Sequence, residues 1–129
     1  MTGYTNTLGQ TNRIGVTIKS AKEIEYMREA GKVVAATKKR LKEAIQPDIP
    51  TIELDLLAEK EIKAHGAKPS FKGLYGFPAT ICVSLNDEVV HGIPSDRIVR
   101  SGDIISVDLG AVVSIYHSDS AITVGVGDI

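Results

Sequence analysis

Two β-branched-rich segments restrict this chain more than anything else in it. They read Asp103-Ile-Ile-Ser-Val-Asp108-Leu109 and Tyr116-His-Ser-Asp119-Ser-Ala-Ile-Thr-Val124, and side chains of this kind suit a pleated, half-buried surface. Six residues separate them, so a hairpin is expected. A turn near Val113-Ser114 places Asp108 directly across from Asp119. A turn one residue later makes the pair diagonal but leaves both on one face, because a register change of two keeps facing parity. Two like charges so placed repel unless a cation lies between them.

A hairpin can also carry two carboxylates as solubilising charges. Against that, Ile104, Ile105, Val107 and Leu109 make a near-continuous apolar run around Asp108 that reads as a buried strand. An ionised carboxylate in such a strand is costly unless it is paired or holds a metal. A metal or a cationic partner is the expected reading.

With 129 residues, 43% of them hydrophobic, the chain has enough apolar surface for one soluble domain with a core. No apolar run approaches the roughly 20 residues that span a bilayer, and no signal-peptide pattern opens the sequence, so the expected location is cytoplasmic. One cysteine, Cys82, excludes an internal disulfide framework and a cysteine zinc cage. A net charge of -1 gives no electrostatic case for nucleic acid. The basic cluster Lys38-Lys39-Arg40 with Lys42 falls in a helical stretch and reads as a solvated face.

Residues 1–18 read as a loose leader and residues 19–129 as one domain. Ser20 with Glu23 forms a capping box, and Ile24, Met27, Ala30, Val34, Thr37, Leu41 and Ile45 recur at helical spacing, predicting a helix over about 21–45 that Pro47 and Pro50 end. Thr51 can cap a second helix with Leu54, Leu57, Ala58 and Ile62 inward and Gly66 as its stop. From Ser70 onward short apolar runs alternate with Gly, Pro, Asn and Asp, the pattern of antiparallel strands and tight turns. Thr80 to Leu85 and Glu88 to His91 are expected to form one hairpin around Asn86-Asp87, ahead of the aspartate hairpin. The fold class is therefore α+β, helices first and strands after.

Pro69-Ser-Phe71, Gly76-Phe77-Pro78-Ala-Thr-Ile-Cys82-Val-Ser84, Asn86, Val89-Val90-His91-Gly92-Ile93-Pro94, Gly102-Asp103, Val107-Asp108 and Tyr116-His117-Ser118-Asp119 together resemble type I methionine aminopeptidases. The resemblance covers about residues 19–127 and the first half of that family's catalytic domain. It implies half of a pita-bread fold, in which two related α+β halves enclose a two-metal site. It further implies that Asp108 and Asp119 correspond to the first two metal ligands, that His91 corresponds to a histidine contacting substrate near the scissile amide, and that Phe77 and Cys82 line the pocket for the methionine side chain. The implied cofactors are two divalent ions, Co, Mn, Fe or Zn, which suit hard carboxylates. The family completes its metal shell with a histidine and two glutamates of the second half, one of them the general base. The 129 residues do not include them, so the chain is expected to be a truncated form with negligible turnover alone. The uncovered half is also expected to expose a hydrophobic sheet face and an unpaired edge.

The resemblance departs at the hairpin tip, where Ser114-Ile115 replaces the family's usual Asp-Gly or Asn-Gly, and at Leu74, where an aromatic is common. His117 lies two residues before Asp119 and could share its face, while His65 reads as a dipole partner at a helix end. Cys82 in an apolar strand reads as pocket wall rather than nucleophile. Three functions stay open: initiator-methionine removal from nascent chains, a related Xaa-Pro aminopeptidase or dipeptidase activity, and a non-catalytic half-domain that binds a second-half polypeptide or itself.

Overall fold

A computed structural model describes residues 10–11 and 15–129 of the chain. Strands β1 (Gln10–Thr11) and β2 (Thr17–Ile18) pair antiparallel. The rest of the leader expected over 1–18 lies mostly outside the described residues. Helices α1 (Ala21–Ala44) and α2 (Thr51–Ala64) follow, then β3 (Lys68–Pro69), β4 (Ile81–Leu85), β5 (Ile104–Val113) and β6 (Tyr116–Gly125). All pairings are antiparallel, and β5 is the hub: β6 runs along one edge while β3 and β4 follow each other along the other.

Helix α1 starts where the capping box predicts. Ser20 Oγ accepts from the Glu23 N–H at 3.2 Å, and Glu23 Oε1 accepts from the Ser20 N–H at 2.9 Å. The inward stripe differs from the expected one, because Glu23 is buried while Ile24 and Met27 are exposed. A buried carboxylate is tolerable here because Tyr116 donates its phenol to Glu23 Oε2 at 2.6 Å, in addition to the cap. That bond pushes the Tyr116 phenol up to about 12. Within the basic cluster, Lys38 is half-buried and its Nζ donates to Ser120 Oγ on β6 at 3.0 Å, so it ties helix to sheet rather than facing only water.

Pro50, not Thr51, occupies the cap of α2, without a side-chain cap bond. The Thr51 hydroxyl instead exchanges two hydrogen bonds with the backbone of Ser95, tethering the helix start to the segment before β5. Inward residues Leu54, Ala58 and Ile62 join Val33, Val34 and Leu41 of α1 against Ile81, Val83, Leu85, Ile105, Val107 and Leu109 to make the core. Among the described residues no helix is long and apolar enough to cross a membrane.

The hairpin expected over 80–91 does not form. Asn86 takes a left-handed φ of 56°, but Glu88 folds back, its carboxylate accepting from the Leu85 N–H at 2.9 Å, and residues 88–91 leave the ladder. β4 pairs with β5 instead, from Ile81 opposite Leu109 to Leu85 opposite Ile105. The β5–β6 hairpin turns at Ser114-Ile115, one residue later than the directly opposed register requires. Ser114 has φ 58°, at the first position of a two-residue loop, where glycine is favoured. That conformation costs a non-glycine residue about 1–2 kcal/mol, and glycine's extra freedom when unfolded cancels part of the relief. Ser114→Gly is therefore expected to stabilise the chain by about 0.5 kcal/mol in urea unfolding.

Candidate metal centre

The β5–β6 register sets Asp108 opposite Ala121 and Asp119 opposite Gly110. The two aspartates are thus diagonal, two residues apart along the ladder, and share one face of the sheet. This face is opposite the one covered by α1, and β6 alternates along it with His117, Asp119, Ala121 and Thr123 exposed. It is not the hydrophobic face expected of an uncovered half: Ser106 and Thr123 hydroxyls meet across it at 2.8 Å. Ile104 at the N-terminal end of β5 is the exposed large apolar side chain on this strand face, and further exposed ones cluster beside the cavity at Leu74, Tyr75, Val89, Val90 and Ile93.

The two carboxyl groups converge. Burial raises Asp108, and the hydrogen bond and charge of Asp119 raise it further, to about 7. Two ionised carboxylates this close repel, and removal from water sharpens the repulsion, so either a shared proton or a cation relieves it. Among the described residues, Asp108 Oδ1 is buried and has no hydrogen-bond partner. An oxygen so placed fits a divalent cation, whose hard-ligand preference matches paired carboxylates. Among the described residues no group of three or more His, Cys, Asp and Glu converges to hold a metal.

Phe77, Cys82, His91, Asp108 and Asp119 all line one cavity of about 550 Å³, together with Phe71, Leu74, Tyr75 and Ile93. Each arrives from a different local device. Cys82 is buried on β4 directly opposite Asp108, and burial, then the charges of Asp108 and Asp119, push its thiol up to about 11. A thiol held protonated is a poor nucleophile, and Cys82 stands in the cavity lining. Phe77 follows a short turn, Leu74–Gly76, in which Tyr75 and Gly76 have positive φ, as does Gly73 just before it. His91 has φ 61° and precedes Gly92, which lies flush against β4.

The other two histidines are placed elsewhere. His117 shares the open face, but its Nδ1 hydrogen-bonds Ser70 Oγ at 3.0 Å. His65 follows α2 and bonds Glu61 at 2.9 Å. Asp55 and Ser84 bond the amides of Ile81 and Gly92, which adjoin the cavity-lining Cys82 and His91, and neither periodicity nor spacing singles out Ser84 or Gly92. Asp55 alone left a trace, as a carboxylate beside Leu54 on the inward side of a helix.

A model of metallopeptidase family M24 matches residues 25–129. The chain belongs to this family. It is 55% identical over 111 residues to methionine aminopeptidase 1 of Bacillus subtilis, covering 86% of this chain and 45% of that protein. It is 50% identical over 114 residues to a methionine aminopeptidase of Clostridium perfringens, covering 88% and 46%. Its fold is similar to the crystal structure of methionine aminopeptidase from Thermotoga maritima, with TM-score 0.86, 39% identity and coverage of 88% and 46%. It is also similar to a prolidase from Pyrococcus furiosus, with TM-score 0.76, 28% identity and coverage of 86% and 32%. This M24 chain spans less than half the length of these relatives and corresponds to the N-terminal half of the pita-bread fold, two helices followed by an antiparallel sheet.

Proposed function

We propose that this chain supplies the first share of a two-metal aminopeptidase site that removes methionine from the N-termini of peptides and nascent chains, and that it turns over negligibly alone. The observation that carries this reading is the convergence of Asp108 and Asp119, with the buried Oδ1 unpartnered, in the cavity that Phe77, Cys82 and His91 also line.

Asp108 and Asp119 would hold divalent Mn, Fe, Co or Zn through carboxylate oxygens. When bound, such ions polarise a carbonyl and lower the pKa of water. The chain's own residues bind and orient. Phe77 and Cys82 offer an aromatic edge and a sulfur to a methionine thioether. His91 can donate a ring N–H to the substrate carbonyl as negative charge develops on its oxygen. A second-half polypeptide with one histidine and two glutamates would supply the remaining donors and the base, which explains the expected inactivity of this chain alone.

Mn(II) titration followed by NMR is expected to broaden the signals of Cys82, Asp108 and Asp119, with a Met-Ala-Ser peptide left uncut. Asp108→Asn and Asp119→Asn should each weaken binding by about tenfold or more, which is about 1.4 kcal/mol. Binding unchanged by both substitutions would defeat the metal site, and clear turnover by the purified monomer would defeat the inactivity. Restored cleavage on adding a second-half polypeptide, with Met-Ala preferred over Xaa-Pro peptides, supports the methionine reading over the prolidase-like one. A non-catalytic, partner-binding role is favoured by the exposed Val89, Val90 and Ile93 beside the cavity. It predicts association through that loop that survives loss of both aspartates.

A further inference from the structure

We infer that Ser84 is a positioning residue that holds His91 at the cavity it shares with the acidic pair, an inference that rests on the proposed substrate-facing role of His91. Ser84 lies on β4, two residues from Cys82, and is only 4% exposed. Its neighbours along the strand are Ile81, Cys82, Val83 and Leu85, so a hydroxyl here needs a partner to offset its burial. It accepts from the Gly92 N–H at 3.3 Å. On the other side of the same residue, the Val83 N–H donates to Gly92 O at 2.9 Å. Gly92 is thus gripped at both its backbone polar groups, once by main chain and once by a side chain.

The grip has little slack. A β-carbon on Gly92 would fall 1.8 Å from Val83 O and 3.1 Å from Ser84 Cα, so the two backbones are in contact. His91, one residue earlier, has φ 61°, a left-handed conformation that a residue with a β-carbon holds only when its surroundings impose it. Val89, Val90 and His91 are all exposed, so packing on the N-terminal side supplies little of that restraint. The restraint comes from Gly92, and of its two bonds to β4 only the one from Ser84 depends on a side chain. Removing the hydroxyl frees the 91–92 peptide to rotate and takes the imidazole off the site, while the β4–β5 ladder stays intact.

Ser84→Ala in the full chain tests this by NMR. The Gly92 amide should exchange with solvent about fivefold faster or more, and the HN–Hα coupling of His91 should leave the value set by a left-handed φ. Amides of Ile105 and Val107 should stay as protected as in the native chain. Ser84→Thr, which keeps the hydroxyl, should restore both His91 and Gly92, and Ser84→Cys, which preserves volume with a weaker acceptor, should fall between. Native values for His91 and Gly92 in Ser84→Ala would overturn the assignment, as would protection lost equally across β4 and β5. Mn(II) affinity of the native chain, measured alongside, judges only the acidic pair, so a failed metal site and a failed positioning role give different results.

Discussion

Asp55→Ala is expected to lower the stability of the chain by about 2–4 kcal/mol, through groups that the substitution does not touch. Asp55 lies on the inward side of α2, 5% exposed, and its Oδ1 accepts from the N–H groups of Thr80 at 2.8 Å and Ile81 at 2.9 Å. Those amides stand at the start of β4, just ahead of Cys82. Alanine would leave both buried donors without an acceptor, each costing about 1–3 kcal/mol, partly offset because a carboxylate no longer has to be desolvated. Asp55→Asn keeps an acceptor oxygen without the charge and should stay within about 1 kcal/mol of the native chain. Urea unfolding compares the three, and an alanine variant as stable as the asparagine one would show that the two bonds contribute nothing. The pH dependence has a definite sign. Burial raises the Asp55 carboxyl above its ordinary 3.8, more than the two N–H bonds lower it, so the folded chain retains a proton that the unfolded chain has released. Stability from this group is therefore fully present below the unfolded value and lost as pH rises through the folded one. Relative to Asp55→Asn, the native chain should weaken across that window and level off above it.

Asp55 also marks the boundary of what the residues disclose by themselves. The helices could be read because capping and 3.6-residue spacing are local, and the Ser20–Glu23 box forms as expected. The inward stripe of α1 could not be fully read, because the burial of Glu23 in place of Ile24 and Met27 depends in part on Tyr116, 93 residues away. Parity placed Asp108 and Asp119 on one face whichever turn was chosen, whereas the register depended on a Ser114-Ile115 turn that lacks the favoured glycine. The apolar Val89-Val90 run looked like a strand. Its residues are exposed, because the Glu88 carboxylate binds the Leu85 amide and closes a turn there. Within the site, a carboxylate inside an apolar run was legible as chemistry. Phe77, Cys82 and His91 entered through family likeness, since nothing in their spacing links them to the aspartates. Ser84 and Gly92 stood in the motifs that carry the resemblance, but their local roles could not be read, because those depend on how closely two backbones approach.

Gly92→Ala should do the most local damage of any single-methyl change near the site. Gly92 has an ordinary φ, so space, not conformational freedom, demands glycine here. The β-carbon would meet Val83 O at 1.8 Å, the Val83 carbonyl carbon at 2.7 Å and Ser84 Cα at 3.1 Å. All three are main-chain atoms of a buried strand, so no flexible side chain can give way. Relief requires the 91–93 segment to lift by roughly 1.5 Å to reach ordinary van der Waals separation. That displacement breaks the bond from Val83 N–H to Gly92 O and strands a donor on β4, in addition to an overpacking cost of about 1–3 kcal/mol. It also carries His91 away from Asp108 and Asp119. In a site completed by a second-half polypeptide, a misplacement of this size is expected to lower turnover by about 10²-fold. In the isolated chain the expected signs are faster Val83 amide exchange and shifted His91 ring signals, with the β5–β6 amides unchanged. Native-like His91 signals and Val83 protection in Gly92→Ala would show that the segment absorbs a methyl group without leaving β4, and the clamp on His91 would then have to be abandoned.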